Sequence, residues 1–313
     1  MIDKSTIIAA YKLIKPYIRQ TPVIDVSAAD ILGDRNQNNR INFKLEQLQY
    51  AGCFKPRGAF YSLLSQPQLP TSVAAASGGN HGAAVAYAAH ILGIDAHIFV
   101  PKGSPQAKIN RIKDFGANVM VDGDNYAAAL DNCNQYIQQS AAFSIHAYDD
   151  ISTITGQATT ALEWHAQVKD LDTILIAVGG GGLIAGMAAY LKQVSDVKIV
   201  CVEPTHSASM YEAMANNQVV KITPNSIAAD SLGSSSAGKN CFAIAQQDVD
   251  EFICIDDEDI LKAQHILWND YRILAELGGA TAFAALSSKV YETQPDEKIG
   301  VLICGGNCSA LGE

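Results

Sequence analysis

The chain has 313 residues, enough for one large or two small domains at the usual size of about 100 to 200 residues each. Hydrophobic residues make up 48% and charged residues 17%, a balance that builds a buried core and excludes a disordered or fibrous chain. Lys and Arg number 22 against 32 Asp and Glu; the net charge of -10 repels a phosphate backbone and excludes nucleic acid as a partner.

The first residues, Met1-Ile2-Asp3-Lys4-Ser5, lack a basic segment followed by an apolar run. No stretch approaches the roughly 18 apolar residues of a membrane span, so a soluble, cytoplasmic protein with no membrane partner is expected. Seven cysteines without a Cys-x-x-Cys pair fit reduced, mostly buried thiols better than disulfides or zinc ligands. The apolar balance for this length points to a homo-oligomer, taken as a dimer.

In chain order, a helix is predicted over 6–19, a strand over 73–76, a helix over 83–92 and a strand over 96–100. Next come a helix over 104–115, a strand over 117–121 and helices over 126–138 and 154–168. A strand over 173–178, a helix over 184–191 and a strand over 198–202 follow, then helices over 258–271 and 280–291 and a strand over 299–304. Short β-branched runs alternating with Ala-rich helical stretches mean β-α-β units and a parallel sheet, so the class is α/β.

Two glycine-rich loops join a strand to a helix. Ile174-Leu175-Ile176-Ala177-Val178 runs into Gly179, Gly180, Gly181, Gly182 and Leu183, where bare backbone N–H groups can close on a phosphate at the positive end of a helix. Four glycines in a row cost chain entropy, which argues against a mere structural turn. Ser77, Gly78, Gly79, Asn80, His81 and Gly82 form the second loop, a cradle for another anion. A dinucleotide site competes for the first loop, since Gly180-x-Gly182-x-x-Ala185 matches the loose fingerprint and Glu203 ends the next strand; it leaves the second loop unused.

Ahead of both loops stands Lys44-Leu45-Glu46, then Gly52-Cys53-Phe54-Lys55-Pro56-Arg57-Gly58. This segment resembles the cofactor-lysine motif of the fold-type II pyridoxal-phosphate (PLP) enzymes, specifically the threonine/serine dehydratase and serine racemase group, with Cys53 where Ser is usual. The resemblance continues through Thr21-Pro22, the Ser77 loop, Thr155-Gly156-Gln157, the tetraglycine loop, Glu203-Pro204, Ala229-Asp230-Ser231-Leu232-Gly233 and Cys304-Gly305-Gly306-Asn307.

It implies a tryptophan synthase β-like fold: a large domain of residues 1–71 and 146–313 and a small inserted domain of 72–145, with PLP in the cleft between two parallel-sheet units. The chain ends soon after Asn307, so no appended regulatory domain is expected. By the same resemblance Lys55 holds the cofactor as a Schiff base and moves protons, and Phe54 packs on the ring. Asn80 meets the ring hydroxyl, Gly179, Gly180, Gly181, Gly182 and Leu183 bind phosphate, and Cys304 faces the pyridine nitrogen. Ser77, Gly78, Gly79, Asn80 and His81 hold the substrate carboxylate. A neutral partner at that nitrogen weakens the electron sink and favours loss of a β-leaving group.

The family's cation ligands fall on Glu203, Ser207 and Ser209; one carboxylate with neutral oxygens suits a monovalent ion such as K+ better than Mg2+. No histidines are spaced as metal ligands, and Asp256-Asp257-Glu258-Asp259 reads as a helix start. The expected activity is dehydration and deamination of L-threonine or L-serine to a 2-oxo acid and ammonia. Racemisation, β-replacement and a nicotinamide oxidoreductase stay open. By the same resemblance, relatives that handle a second substrate carboxylate place an arginine just after the Asp124-Asn125 turn; Tyr126-Ala127-Ala128-Ala129 offers none, which disfavours hydroxyaspartate.

Overall fold

The computed structural model describes residues 2–33 and 38–308. Its ten strands are β1 (Val23–Ser27), β2 (Arg40–Leu45), β3 (Ser72–Ala76), β4 (Asp95–Val100), β5 (Asn118–Val121), β6 (Phe143–Ser144), β7 (Thr173–Ala177), β8 (Lys198–Pro204), β9 (Glu251–Ile255) and β10 (Lys298–Ile303). One sheet runs β1-β2-β10-β7-β8-β9 and the other β5-β4-β3-β6, so the second is built wholly from the middle of the chain. Neighbouring strands are parallel except for β1, which pairs antiparallel with β2 at the sheet edge. The expected parallel sheets hold for every other pair; among the described residues the connection 28–39 carries the short helix Ala28–Leu32.

Four strands, β1, β2, β6 and β9, were not legible in the sequence. In β2 the polar side chains Asn42 and Lys44 are buried beside Ile41 and Phe43, so the apolar pattern that marks an inner strand is broken by groups that find partners inside. The helix predicted over 6–19 ends at Ile14, and a tight turn Lys15–Tyr17 follows at Pro16, which cannot continue the hydrogen-bond ladder. The helix predicted over 280–291 lies at Leu277–Ser287, starting on two glycines that propensity alone rejects. A Cβ at Gly279 would collide with the carbonyl of Gly305, so close packing of the helix against the end of β10 selects glycine. Asp256 stands at the N-cap of the helix Asp257–Tyr271, as the acidic run foretold.

Lys55 is positioned by two helices in close contact. Pro56–Leu64 and Ile151–Gln167 cross where a Cβ on Gly156 would lie 2.6 Å from the Cα of Gly58. Around that crossing sits a buried charge quartet. Arg57 donates to both oxygens of Glu46 at 2.8 and 2.7 Å and to Glu163 at 2.9 Å. Lys44 donates to Glu163 at 2.6 Å, and the Thr21 hydroxyl donates to Glu46 at 2.5 Å. Burial alone would raise the Glu163 carboxyl, but Arg57 and Lys44 hold it below the usual carboxylate range.

Candidate active site

Lys55 occupies the N-cap position of the helix Pro56–Leu64, directly ahead of Pro56. Its turn is tied to the end of β10: the Phe54 N–H donates to the Cys304 carbonyl at 3.2 Å, and Cys53 bridges to Gly305. The Nζ donates to the Ala147 carbonyl at 3.1 Å and lies 5.0 Å from the Phe54 ring centroid. Burial pushes the amine below the ordinary lysine range, so more of it stands in the neutral form that can act as nucleophile or proton acceptor.

The glycine loop follows β7 and opens the helix Gly182–Leu191, with Gly181 left-handed at φ 97°. The protein itself demands these glycines. A Cβ on Gly180 would collide with the Tyr148 ring, and one on Gly182 would come 2.6 Å from the Tyr148 carbonyl. The inference from glycine content to an anion was therefore incomplete, because packing against Tyr148 explains the residue type alone. A stronger sign is on the backbone. Among the described residues, the N–H groups of Gly179, Gly180, Gly181, Gly182 and Leu183 donate to no acceptor, and they stand at the start of a helix.

These parts converge. Phe54, Lys55, Asn80, the four glycines, Leu183 and Cys304 line one cavity, joined by Tyr148, Gln157, Ser231 and Glu276. The unused N–H row and the nucleophilic amine on one cavity fit a cofactor bearing both a phosphate and a carbonyl. Cys304 lies just past the end of β10, fully buried, and burial raises its thiol so that it stays neutral. A wider cleft of about 930 Å³ opens alongside and shares Ser231 and Glu276 with the cavity; Lys108 pairs across it with Asp230.

The Ser77 loop is arranged differently from the expectation. Only Asn80 reaches the cavity lining, at the first turn of the helix Asn80–Leu92. Ser77 accepts the Gly79 N–H at 3.2 Å, which takes that amide out of the set available to a carboxylate. His81 turns to the Ile145 carbonyl at 2.9 Å, and burial lowers it to about 3, leaving it neutral. At Gly78 a Cβ would lie 2.7 Å from the Ser104 hydroxyl.

Behind the glycine loop, the Glu203 carboxylate accepts from the Met210 and Tyr211 N–H groups at 2.9 and 2.7 Å. Ser209 donates to the Gly179 carbonyl at 3.0 Å, and the Ser207 hydroxyl accepts from Ser226 N–H at 3.3 Å. The Glu203 and Ser209 side chains thus already have protein partners, whereas at Ser207 the expected ligand is the main-chain carbonyl, to which no N–H donates among the described residues. No group of three or more His, Cys, Asp or Glu side chains is gathered for a metal among the described residues.

Sequence reasoning missed Tyr148 and Glu276. Tyr148 stands in an irregular stretch between β6 and the helix Ile151–Gln167, and Glu276 precedes Gly278-Gly279, a glycine pair that was the one available signal.

Two mainly parallel sheets with a lysine amine and an unused N–H row on a shared cavity define a fold-type II PLP enzyme. The chain matches the family described as pyridoxal-phosphate dependent enzyme over residues 14–305 and belongs to it. It is 33% identical to a serine racemase of Dictyostelium discoideum, over 95% of this chain and 92% of that protein. It is 31% identical to a phenylserine dehydratase of Ralstonia pickettii, over 98% and 94%. The crystal structure of a threonine deaminase from T.th. superposes with a TM-score of 0.92 at 29% identity, covering 99% of this chain and all of that one. No helix among the described residues is long and apolar enough to cross a membrane.

Proposed function

We propose that this chain is a PLP-dependent ammonia-lyase that converts L-threonine or L-serine to a 2-oxo acid and ammonia. The observation that carries the reaction type is Cys304, a neutral buried thiol on the cofactor cavity. When bound, pyridoxal phosphate supplies an electron-withdrawing ring that lets an amino acid lose its α-proton; a neutral partner for its nitrogen keeps that pull weak and favours prompt loss of a β-hydroxyl.

The chain's own groups divide the remaining work. Lys55 would hold the cofactor through Nζ, and its free amine would take the α-proton of the substrate. Gly179, Gly180, Gly181, Gly182 and Leu183 offer their free N–H groups to the phosphate, and the Phe54 ring packs beside the cofactor. Asn80 faces the ring oxygen. The Ser77 loop receives the substrate carboxylate through backbone N–H groups other than those of Gly79 and Ser77, the latter donating to the Phe99 carbonyl at 3.0 Å. Residues 72–145 act as the small domain over residues 1–71 and 146–313, in a cytoplasmic homodimer whose mass light scattering measures. A K+ ion at Glu203, Ser207 and Ser209 belongs to the same proposal. Glu203 already accepts from the Met210 and Tyr211 N–H groups and keeps lone pairs for an ion; a melting temperature raised by K+ over Na+ tests the site.

A panel of hydroxy amino acids scored for 2-oxo acid and ammonia tests the activity. Equal release of both from L-threonine or L-serine is expected; turnover of neither, with turnover of hydroxyaspartate or phenylserine, overturns the substrate assignment.

The racemase reading draws support from the Dictyostelium discoideum relative. Returning a proton with inverted geometry needs a second acid or base opposite Lys55. Gly78 offers no side chain, and the space beside it is filled by Ser104. L-serine is therefore expected to give pyruvate with only traces of D-serine, and Gly78→Ser with Ser104→Gly to raise the D-serine share. D-serine formed by the unchanged enzyme as fast as pyruvate puts the racemase first.

A further inference from the structure

The Asn80 amide is held by protein on both sides. Its Nδ2 donates to Glu276 Oε1 at 2.5 Å, and its Oδ1 accepts from Asn307 Nδ2 at 2.7 Å. Asn307 is fixed in turn, since its Nδ2 also donates to the Ala51 carbonyl at 2.7 Å. A primary amide has two N–H donors and one oxygen. With the oxygen and one N–H engaged, a single N–H is left to Asn80 in the wall of the cavity that Lys55 and Cys304 share. Flipping the amide would set oxygen against the Glu276 carboxyl and NH2 against the Asn307 NH2, so the two neighbours decide which atom faces the cavity.

Glu276 has no evident structural reason to be a carboxylic acid. It is 5% exposed, forms no ion pair among the described residues, and its Oε2 is buried with no hydrogen-bond partner. Although it stands at the N-cap position of the helix Leu277–Ser287, its side chain caps nothing. A buried acid left half satisfied costs stability. Its one bond is to Asn80, and both it and Asn80 line the cofactor cavity. Burial raises its carboxyl, while Lys108, Lys55 and Arg111 favour the ionised form; Cys53, Cys304 and Cys308 are the thiols that feel its charge.

We propose that Glu276 is a positioning residue, which with Asn307 locks the Asn80 amide so that a donor rather than an acceptor meets the oxygen on the cofactor ring. The inference rests on Asn80 being the ring-oxygen partner, as proposed above. A fixed donor stabilises the ionised oxygen and lowers the pH at which the cofactor's visible absorbance titrates. Removing it raises that pH.

The test is a pH titration of the visible band in holoenzyme, without substrate, for the unchanged protein and for Asn80→Ala, Glu276→Ala, Glu276→Met and Glu276→Gln. Expected is a rise of about one pH unit, tenfold in the protonation equilibrium, in Asn80→Ala, Glu276→Ala and Glu276→Met. The Asn80→Ala/Glu276→Ala pair shifts no further than Asn80→Ala alone. Glu276→Gln, whose amide oxygen still accepts from Asn80, keeps the original midpoint. A shift in Asn80→Ala with none in Glu276→Ala or Glu276→Met overturns the role of Glu276 and leaves the Asn80 assignment standing. An unmoved midpoint in Asn80→Ala overturns that assignment, and the proposal with it.

Discussion

Replacing Arg57 by methionine keeps most of the side-chain length and removes the charge from the centre of the buried quartet. Three hydrogen bonds go: two to Glu46 and one to Glu163. What remains is two buried carboxylates facing Lys44 alone, which donates to Glu163. Breaking a buried pair by deleting one partner costs about 3–5 kcal/mol, against a total stability of about 5–15 kcal/mol. Urea unfolding near neutral pH should thus show a lowered midpoint with the slope unchanged. The deficit has a pH signature. Glu163 is held below its unfolded value, so its contribution is present above that value, about 4.3, and is lost as pH falls through the folded one. In Arg57→Met the stranded Glu163 carboxylate can take up a proton, so the gap from the unchanged protein narrows on acidification toward about pH 4. A loss under about 1 kcal/mol would show that desolvation cancels the quartet, and a larger loss that does not narrow would show that lost packing rather than charge is responsible.

Two further perturbations follow from the site. His81 is neutral in the fold, with its pKa lowered to about 3 by burial, while the unfolded chain protonates near 6.5. Stability contributed by this group is complete above the unfolded value and falls by about 1.4 kcal/mol per pH unit below it; His81→Gln should flatten that slope between about pH 6 and 4 in urea unfolding, and an unchanged slope refutes the assignment. At the glycine loop, Gly180→Ala places a methyl group in the Tyr148 ring and should cost about 1–3 kcal/mol along with cofactor affinity. Tyr148→Ala in the same chain should restore a good part of both, measured by thermal unfolding and cofactor titration, whereas no rescue would mean that the ring is not what excludes the side chain.

Legibility followed chemistry more closely than pattern. Strands such as β7 and β8, apolar on both faces, announce themselves, whereas β2 hides because Lys44 is an inner residue satisfied by Glu163 and Gln167, partners more than 100 positions along the chain. Lys55, Asn80 and Cys304, singled out through the family resemblance of the motifs around them, line one cavity. Tyr148 and Glu276 were not singled out, since their importance arises only when β7, the helix Asn80–Leu92 and the end of β10 meet around that cavity. No local spacing encodes that meeting. The glycine loop was read correctly as a special turn, but its reason was half missed: a protein ring as well as free N–H groups calls for glycine there.

Whether Lys55 carries the cofactor is read by borohydride reduction of the yellow holoenzyme followed by peptide mass mapping. A single reduced pyridoxyl adduct is expected on the peptide containing Lys55, with no visible band and no adduct in Lys55→Ala and its circular dichroism unchanged. An adduct on another lysine, or a visible band retained in a folded Lys55→Ala protein, contradicts the assignment of Lys55.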